Sequence, residues 1–199
     1  MTRILYIDDE TSLLTLTQIY LKEAADLDIE VADSAEEGLE KLRTGSFDAI
    51  ISDYDMPDID GIELLKLVRT ENSSIPFIIF TGKGREEVVI EALNNGADFY
   101  LQKGGDPKPL FTELAHAVHH LVRRYRAENE AIRNENYMVS ARRVISENII
   151  SIEQSALSLK DVGEKIPAAR EMILKILKSA ENIRNELENS PINKENKET

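Results

Sequence analysis

In the first half of the chain, short apolar runs alternate with amphipathic stretches. Runs at residues 3–7, 29–32, 47–52, 76–80 and 98–101 are bounded by polar or glycine-containing segments, and each reads as a strand. They lack the polar alternation of a half-exposed strand, so they fit a sheet covered by helices on both faces. Between them apolar positions recur at three- and four-residue steps. The stretch 11–25 puts Leu13, Leu14, Leu16, Leu21 and Ala24 on one side. Ser34-Ala35-Glu36-Glu37 has the capping-box pattern and opens a helix that Gly45 closes. Residues 61–70 and 85–94 read as helices, the second stopped by Gly96, and a further helix starts near Pro107 or Pro109. Five strands alternating with five helices predict an α/β fold with a five-stranded, parallel, doubly wound sheet. Right-handed crossovers then place all the strand C-termini on one edge.

The second half has another rhythm. No strong breaker falls between residues 109 and 160. Met138, Ile145, Ile149, Ile152, Ala156 and Leu159 follow helical steps, and so do Ala169, Ile173, Ile176, Ala180, Ile183 and Leu187. Asp161-Val162-Gly163 and Pro167 interrupt, so residues 126–189 read as an all-α antiparallel helical hairpin. Such a hairpin is marginal alone. Two of them, from two chains, would close a four-helix bundle, so a homodimer is expected. Residues 190–199 are polar and are expected to form a disordered tail.

The chain of 199 residues carries a net charge of −13. Residues 1–125 hold 12 Lys and Arg against 24 Asp and Glu, whereas residues 126–199 are near balance. This excess of acid argues against generic nucleic-acid binding, which needs a cationic footprint. Cysteine is absent, which removes disulfides and thiolate zinc sites. The first residues lack the pattern of a signal peptide and no apolar run approaches a membrane span, so a cytoplasmic protein is expected.

The charged ends of the strands carry the chemistry. Asp8-Asp9 follows the first strand, Asp53 the third, Thr81 ends the fourth and Lys103 lies just past the fifth. In an open parallel sheet these ends meet in one crevice. A carboxylate attacks phosphorus poorly unless charge is neutralised. A hard cation such as Mg²⁺ takes oxygen ligands, which Asp8, Asp9 and Asp53 would supply. Asp53 is then the acceptor, Lys103 a counter-charge for phosphoryl oxygens and Thr81 a hydroxyl donor, with Gly82 leaving room beside it. The plainer reading is solvated acids capping helices. His116, His119 and His120 offer an i, i+4 pair but no evident third ligand. Arg123, Arg124 and Arg126 are expected to pair with acids or mark an interface.

The segments Ile7-Asp8-Asp9, Ser52-Asp53-Tyr54-Asp55-Met56-Pro57 through Gly61, Phe80-Thr81-Gly82 and Gly96-Ala97-Asp98-Phe99-Tyr100-Leu101-Gln102-Lys103 stand in a familiar order. Residues 1–125 resemble the receiver domain of two-component response regulators, a flavodoxin-like fold. The resemblance implies Mg²⁺ held by Asp8, Asp9, Asp53 and the backbone carbonyl of Asp55. It implies phosphorylation of Asp53 by a cognate histidine kinase, with Thr81 and Tyr100 as switch residues: a signalling protein and not an enzyme. Most members continue Lys-Pro where this chain has Lys103-Gly104-Gly105. That region also resembles receivers of methanogenic archaea. The helices match no DNA-binding output. In pattern they resemble the dimerisation hairpin of histidine kinases, but residues 126–199 contain no histidine. A downstream protein partner is therefore expected. Two rivals stand beside this reading. One is a haloacid-dehalogenase-like phosphohydrolase using Asp53 and Asp55, although those enzymes usually place their acidic pair last. The other is a constitutive dimeric scaffold.

Overall fold

The computed structural model describes residues 1–24, 27–71, 74–82, 86–159 and 165–189. Ala25, Arg85, Lys160, the expected turn at 161–163 and the tail 190–199 lie outside them. The chain divides into two compact units, Met1–Asn129 and Glu130–Thr199.

The first unit alternates β1 (Thr2–Ile7), α1 (Thr11–Ala24), β2 (Leu27–Ala32), α2 (Ala35–Thr44), β3 (Ala49–Ser52), α3 (Gly61–Glu71), β4 (Phe77–Thr81), α4 (Glu86–Asn94) and β5 (Phe99–Gln102). The helix α5 (Pro107–Ser158) starts in this unit. The five strands form one parallel sheet in the order β2-β1-β3-β4-β5, the doubly wound arrangement that the sequence predicts.

Each face of the sheet carries its own core. Ile4, Tyr6, Ile51, Ile78 and Phe80 pack with Leu14 and Leu21 of α1 and with Phe111, Leu114, Val118 and Leu121 of α5. Leu5, Ile7, Ile50, Phe77 and Ile79 point the other way, onto Ala35, Ile62, Leu65, Val68, Val88 and Ala92. Successive strand residues feed opposite layers, and both layers are buried. The strands therefore run apolar throughout.

Caps set the helix ends. Ser34 Oγ accepts the Glu37 N–H, and Glu37 reaches back to the Asp33 N–H at 2.8 Å, one residue before the reciprocal partner of a strict capping box. Asp60 Oδ1 accepts the Ile62 and Glu63 N–H groups and starts α3. At the end of α4, Gly96 has φ 90°, and bonds from Gly96 N–H to Leu93 O and from Ala97 N–H to Ala92 O complete a Schellman closure. Gly45 also closes its helix, but with extended backbone (φ −116°), so no left-handed glycine is needed there.

In the second unit, the C-terminal part of α5 and α6 (Pro167–Asn189) form the antiparallel hairpin. Ile149, Ala156, Ile173 and Ala180 are buried between the two helices. Arg142 donates to the Leu187 carbonyl and Arg184 to Glu153, tying the helices at two levels. Among the described residues, no helix is long and apolar enough to cross a membrane.

Candidate phosphoacceptor crevice

Sheet register brings the first two acids together. Ile7 pairs with Ser52, so the next residues, Asp8 and Asp53, leave β1 and β3 side by side. The Asp53 N–H still donates to the Ile7 carbonyl at 2.8 Å, which fixes the spacing. At the far side Thr81 pairs with Gln102, and the Lys103 N–H donates to the Thr81 carbonyl at 2.7 Å. Lys103 thus leaves the sheet next to Thr81, and its ammonium lies 5.6 Å from the centroid of the Phe80 ring.

Its ammonium crosses to the acids. Lys103 Nζ donates to Asp8 Oδ2 at 2.6 Å and to Asp53 Oδ1 at 2.7 Å. Asp8 is 0% exposed and Asp53 5%. Asp53 Oδ2 accepts the Asp55 N–H at 2.7 Å, which draws the loop back towards Asp53. Asp8 Oδ1 accepts the Glu10 N–H at 3.1 Å. Thr81 is buried at the end of β4. A Cβ added to the neighbouring Gly82 would meet no atom within 4 Å, so the entry beside Thr81 is open.

The other expected residues stand further out. Asp9 and Asp55 are exposed at the rim, and Tyr100 is half-buried. Burial, then the charge of Asp53, pushes the Tyr100 phenol above its ordinary value. The loop after Lys103 uses its two glycines at positive φ, 149° and 80°, and no peptide bond among the described residues is cis. His116 and His120 lie exposed on α5, and among the described residues no group of three potential ligands surrounds a metal position. Arg124 pairs with Asp98 at 2.9 Å and Arg126 with Asp48 at 2.8 Å.

One participant, Tyr6, escapes the sequence reading. The Tyr6 hydroxyl donates to Asp8 Oδ2. Burial, helped by the Asp8 carboxylate, pushes this phenol far above its ordinary value, so it stays protonated. Tyr6 looks like one more apolar strand residue. Its signal was the i, i+2 spacing to Asp8, which puts both on one face. Gly61, which the sequence reading holds only as the end of a motif, has a steric reason: its Cβ would stand 2.2 Å from the Asp53 carbonyl oxygen.

The donor set suits a hard cation. Two buried carboxylates face one ammonium, a formal surplus of one negative charge, with two more acids at the rim. Their oxygens are the ligand type that Mg²⁺ prefers. Among the described residues no three acids already surround one cation position, and Lys103 bridges Asp8 and Asp53.

A profile described as the response regulator receiver domain matches residues 4–115, more than half of the chain. The chain belongs to the response regulator receiver family. As a receiver it is similar to the transcriptional regulatory protein ZraR of Klebsiella oxytoca, 37% identical over 117 residues that cover 59% of this chain and 26% of that one. It is likewise 37% identical over 106 residues to the alkaline phosphatase synthesis transcriptional regulatory protein PhoP of Bacillus subtilis, covering 53% and 44%. The match thus spans less than half the length of either relative. Among solved receivers, a CheY-like protein from Methanospirillum hungatei superposes with TM-score 0.56 at 30% identity, covering 62% of this chain and 98% of that one. The response regulator TrrA of Thermotoga maritima, solved in complex with Mg(2+)-BeF, superposes with TM-score 0.54 at 30% identity, covering 61% and 99%. These receivers align with the α/β unit.

Proposed function

We propose that the chain is a cytoplasmic phosphorylation switch in which Asp53 accepts a phosphoryl group from the phosphohistidine of a cognate histidine kinase. One observation carries this reading: the Lys103 ammonium held within 2.7 Å of two buried acids from different strands. An Asp53 carboxylate oxygen bonds to phosphorus as the donor's P–N bond breaks. The electron pair of that bond stays on the imidazole nitrogen, and an acyl phosphate forms. Lys103, already in the crevice, passes to the phosphoryl oxygens, and the Thr81 hydroxyl donates to another of them. Asp8, Asp9, Asp53 and the Asp55 backbone carbonyl would hold Mg²⁺. When bound, the ion neutralises charge between the acceptor and the incoming group. The Mg(2+)-BeF complex of TrrA supports this assignment. The redistributed hydrogen bonds bias a two-state equilibrium that Thr81 and Tyr100 relay. The chain takes up one phosphoryl group and does not turn over a substrate.

The output is a homodimer built by the hairpin, through which a downstream protein is engaged. Its apolar stripe divides into two columns. Ile149, Ala156, Ile173 and Ala180 are used up within the hairpin. Met138, Ile145, Ile152 and Leu159 recur every seven residues and stay exposed, as do Ile176 and Ile183. Ile149, Ile152, Met172, Ile176, Ala180 and Ile183 line a groove of about 280 Å³. Half a seam left open at heptad spacing is what a second hairpin covers in a four-helix bundle. DNA binding has no support in this surface.

The test is labelling by a kinase or a small phosphodonor. Stoichiometric label on the wild type, lost in Asp53→Asn and on Mg²⁺ chelation, is the expected result. Unlabelled Asp53 would overturn the reading, and multiple-turnover phosphatase activity abolished by Asp55→Ala would establish the hydrolase instead. Light scattering with and without beryllofluoride then separates a switch from a constitutive scaffold.

A further inference from the structure

Asp8 Oδ2 has two donors of different kinds. One is the Lys103 ammonium at 2.6 Å, on a flexible stem that also holds Asp53 Oδ1. The other is the Tyr6 hydroxyl, which is neutral. Its ring is fully buried in the layer beneath α1 and α5, with the Phe80 ring centroid 6.4 Å away. The hydroxyl cannot swing aside, because the ring is packed on all sides. Lys103 can leave, and a divalent cation taken up by Asp53 and by the other Asp8 oxygen, Oδ1, would repel it.

We propose that Tyr6 is a positioning residue for cation exchange at the acid pair: it keeps Asp8 Oδ2 bonded when Lys103 withdraws, so Asp8 serves the cation without turning. The inference rests on the reading of Asp8 as a cation ligand. In the cation-free state Oδ2 is satisfied twice. Once Lys103 has withdrawn, Tyr6 is its remaining donor from the protein. With phenylalanine at position 6, the cation-free state keeps Lys103. The cation-bound state then strands a carboxylate oxygen of a residue with no exposure, and such stranding is costly. The cost falls on one state only, so it appears as affinity.

The experiment is calorimetric titration of MgCl₂ into the full chain as wild type, Tyr6→Phe, Lys103→Met and the double variant. Tyr6→Phe should weaken Mg²⁺ binding about tenfold, or ~1.4 kcal/mol. In the Lys103→Met background the same change should cost less than about threefold, since Tyr6 there is the same sole donor in both states. An equal loss in both backgrounds would show a merely structural role and overturn the proposal, as would unchanged affinity in Tyr6→Phe. A wild type that binds no Mg²⁺ overturns the cation reading itself, which separates the two failures. Should Tyr6→Phe not fold, fluorotyrosine labelling of the wild type supplies the readout. The Tyr6 ¹⁹F signal, assigned with the other tyrosines replaced in turn, should move with the Mg²⁺ titration and move less in Lys103→Met. A signal that stays put in the wild type overturns the proposal.

Discussion

At Gly61 the missing side chain is a requirement of the loop that follows Asp53. The Gly61 N–H donates to the Tyr54 carbonyl at 3.0 Å, and an added Cβ would meet backbone atoms of Asp53 and Tyr54 at 2.2–3.0 Å. Backbone cannot step aside as a flexible side chain can, so Gly61→Ala is expected to lose about 1–3 kcal/mol, read as a lower urea midpoint at unchanged slope. Gly82→Ala meets open space and should stay within about 0.5 kcal/mol by the same measurement. Tyr100 gives a second residue-scale expectation. The Asp53 charge is one of the two causes that raise its phenol, so Asp53→Asn should lower the midpoint of the Tyr100 titration, followed by NMR. The direction follows from removing a negative charge beside a group that ionises to a negative charge. Asp8, Asp53, Thr81 and Lys103 were legible in the sequence because each polar residue follows or ends a distinct apolar run. Tyr6 was not, because an aromatic within such a run reads as core.

Helix and strand boundaries followed from local chemistry wherever a cap or a periodic stripe was present: Ser34, Asp60 and Gly96 each end up at an element terminus. The links between elements were less legible, because they depend on which side chains meet across the fold. Asp98 shows this. In the sequence it is the first residue of the fifth strand. In the structure its carboxylate accepts the Phe77 N–H at 2.9 Å, Arg69 at 3.0 Å and Arg124 at 2.9 Å. It thereby joins β4, α3 and α5 just before β5. Asp98→Ala leaves the Phe77 N–H without its acceptor and the half-buried Arg69 without its counter-charge, although Arg69 keeps the Gly96 and Ile75 carbonyls, and is expected to cost about 2–3 kcal/mol in thermal or urea unfolding. Arg43→Ala, which removes an exposed pair with Glu71, should change stability by under about 0.5 kcal/mol. The helical stripe of the second half was legible as a stripe. Its division into a covered and an open column was not, because heptad spacing alone does not say which partner fills which side.

For the molecule as a whole, that open column makes oligomeric state the property to measure. Ile152→Asp or Ile183→Asp places a charge in the exposed column and is expected to yield a monomer by light scattering. Circular dichroism and Asp53 labelling should stay intact, since the α/β unit buries its own core. Ile149→Ala, inside the hairpin, should instead destabilise the helices themselves. Another consequence comes from the order in which the crevice is assembled. Asp8 and Asp53 belong to neighbouring central strands, while the cation between them comes 50 residues after Asp53, past the edge strand β5. A chain emerging from the ribosome therefore presents two adjacent acids well before their counter-charge is synthesised. Their repulsion opposes early closure of the centre of the sheet, and the chain's own counter-charge arrives when the last strand docks. Within the chain, Asp8 and Asp53 thus gain their counter-charge only once β5 is in place, so a truncated or half-folded chain has a charge-frustrated crevice.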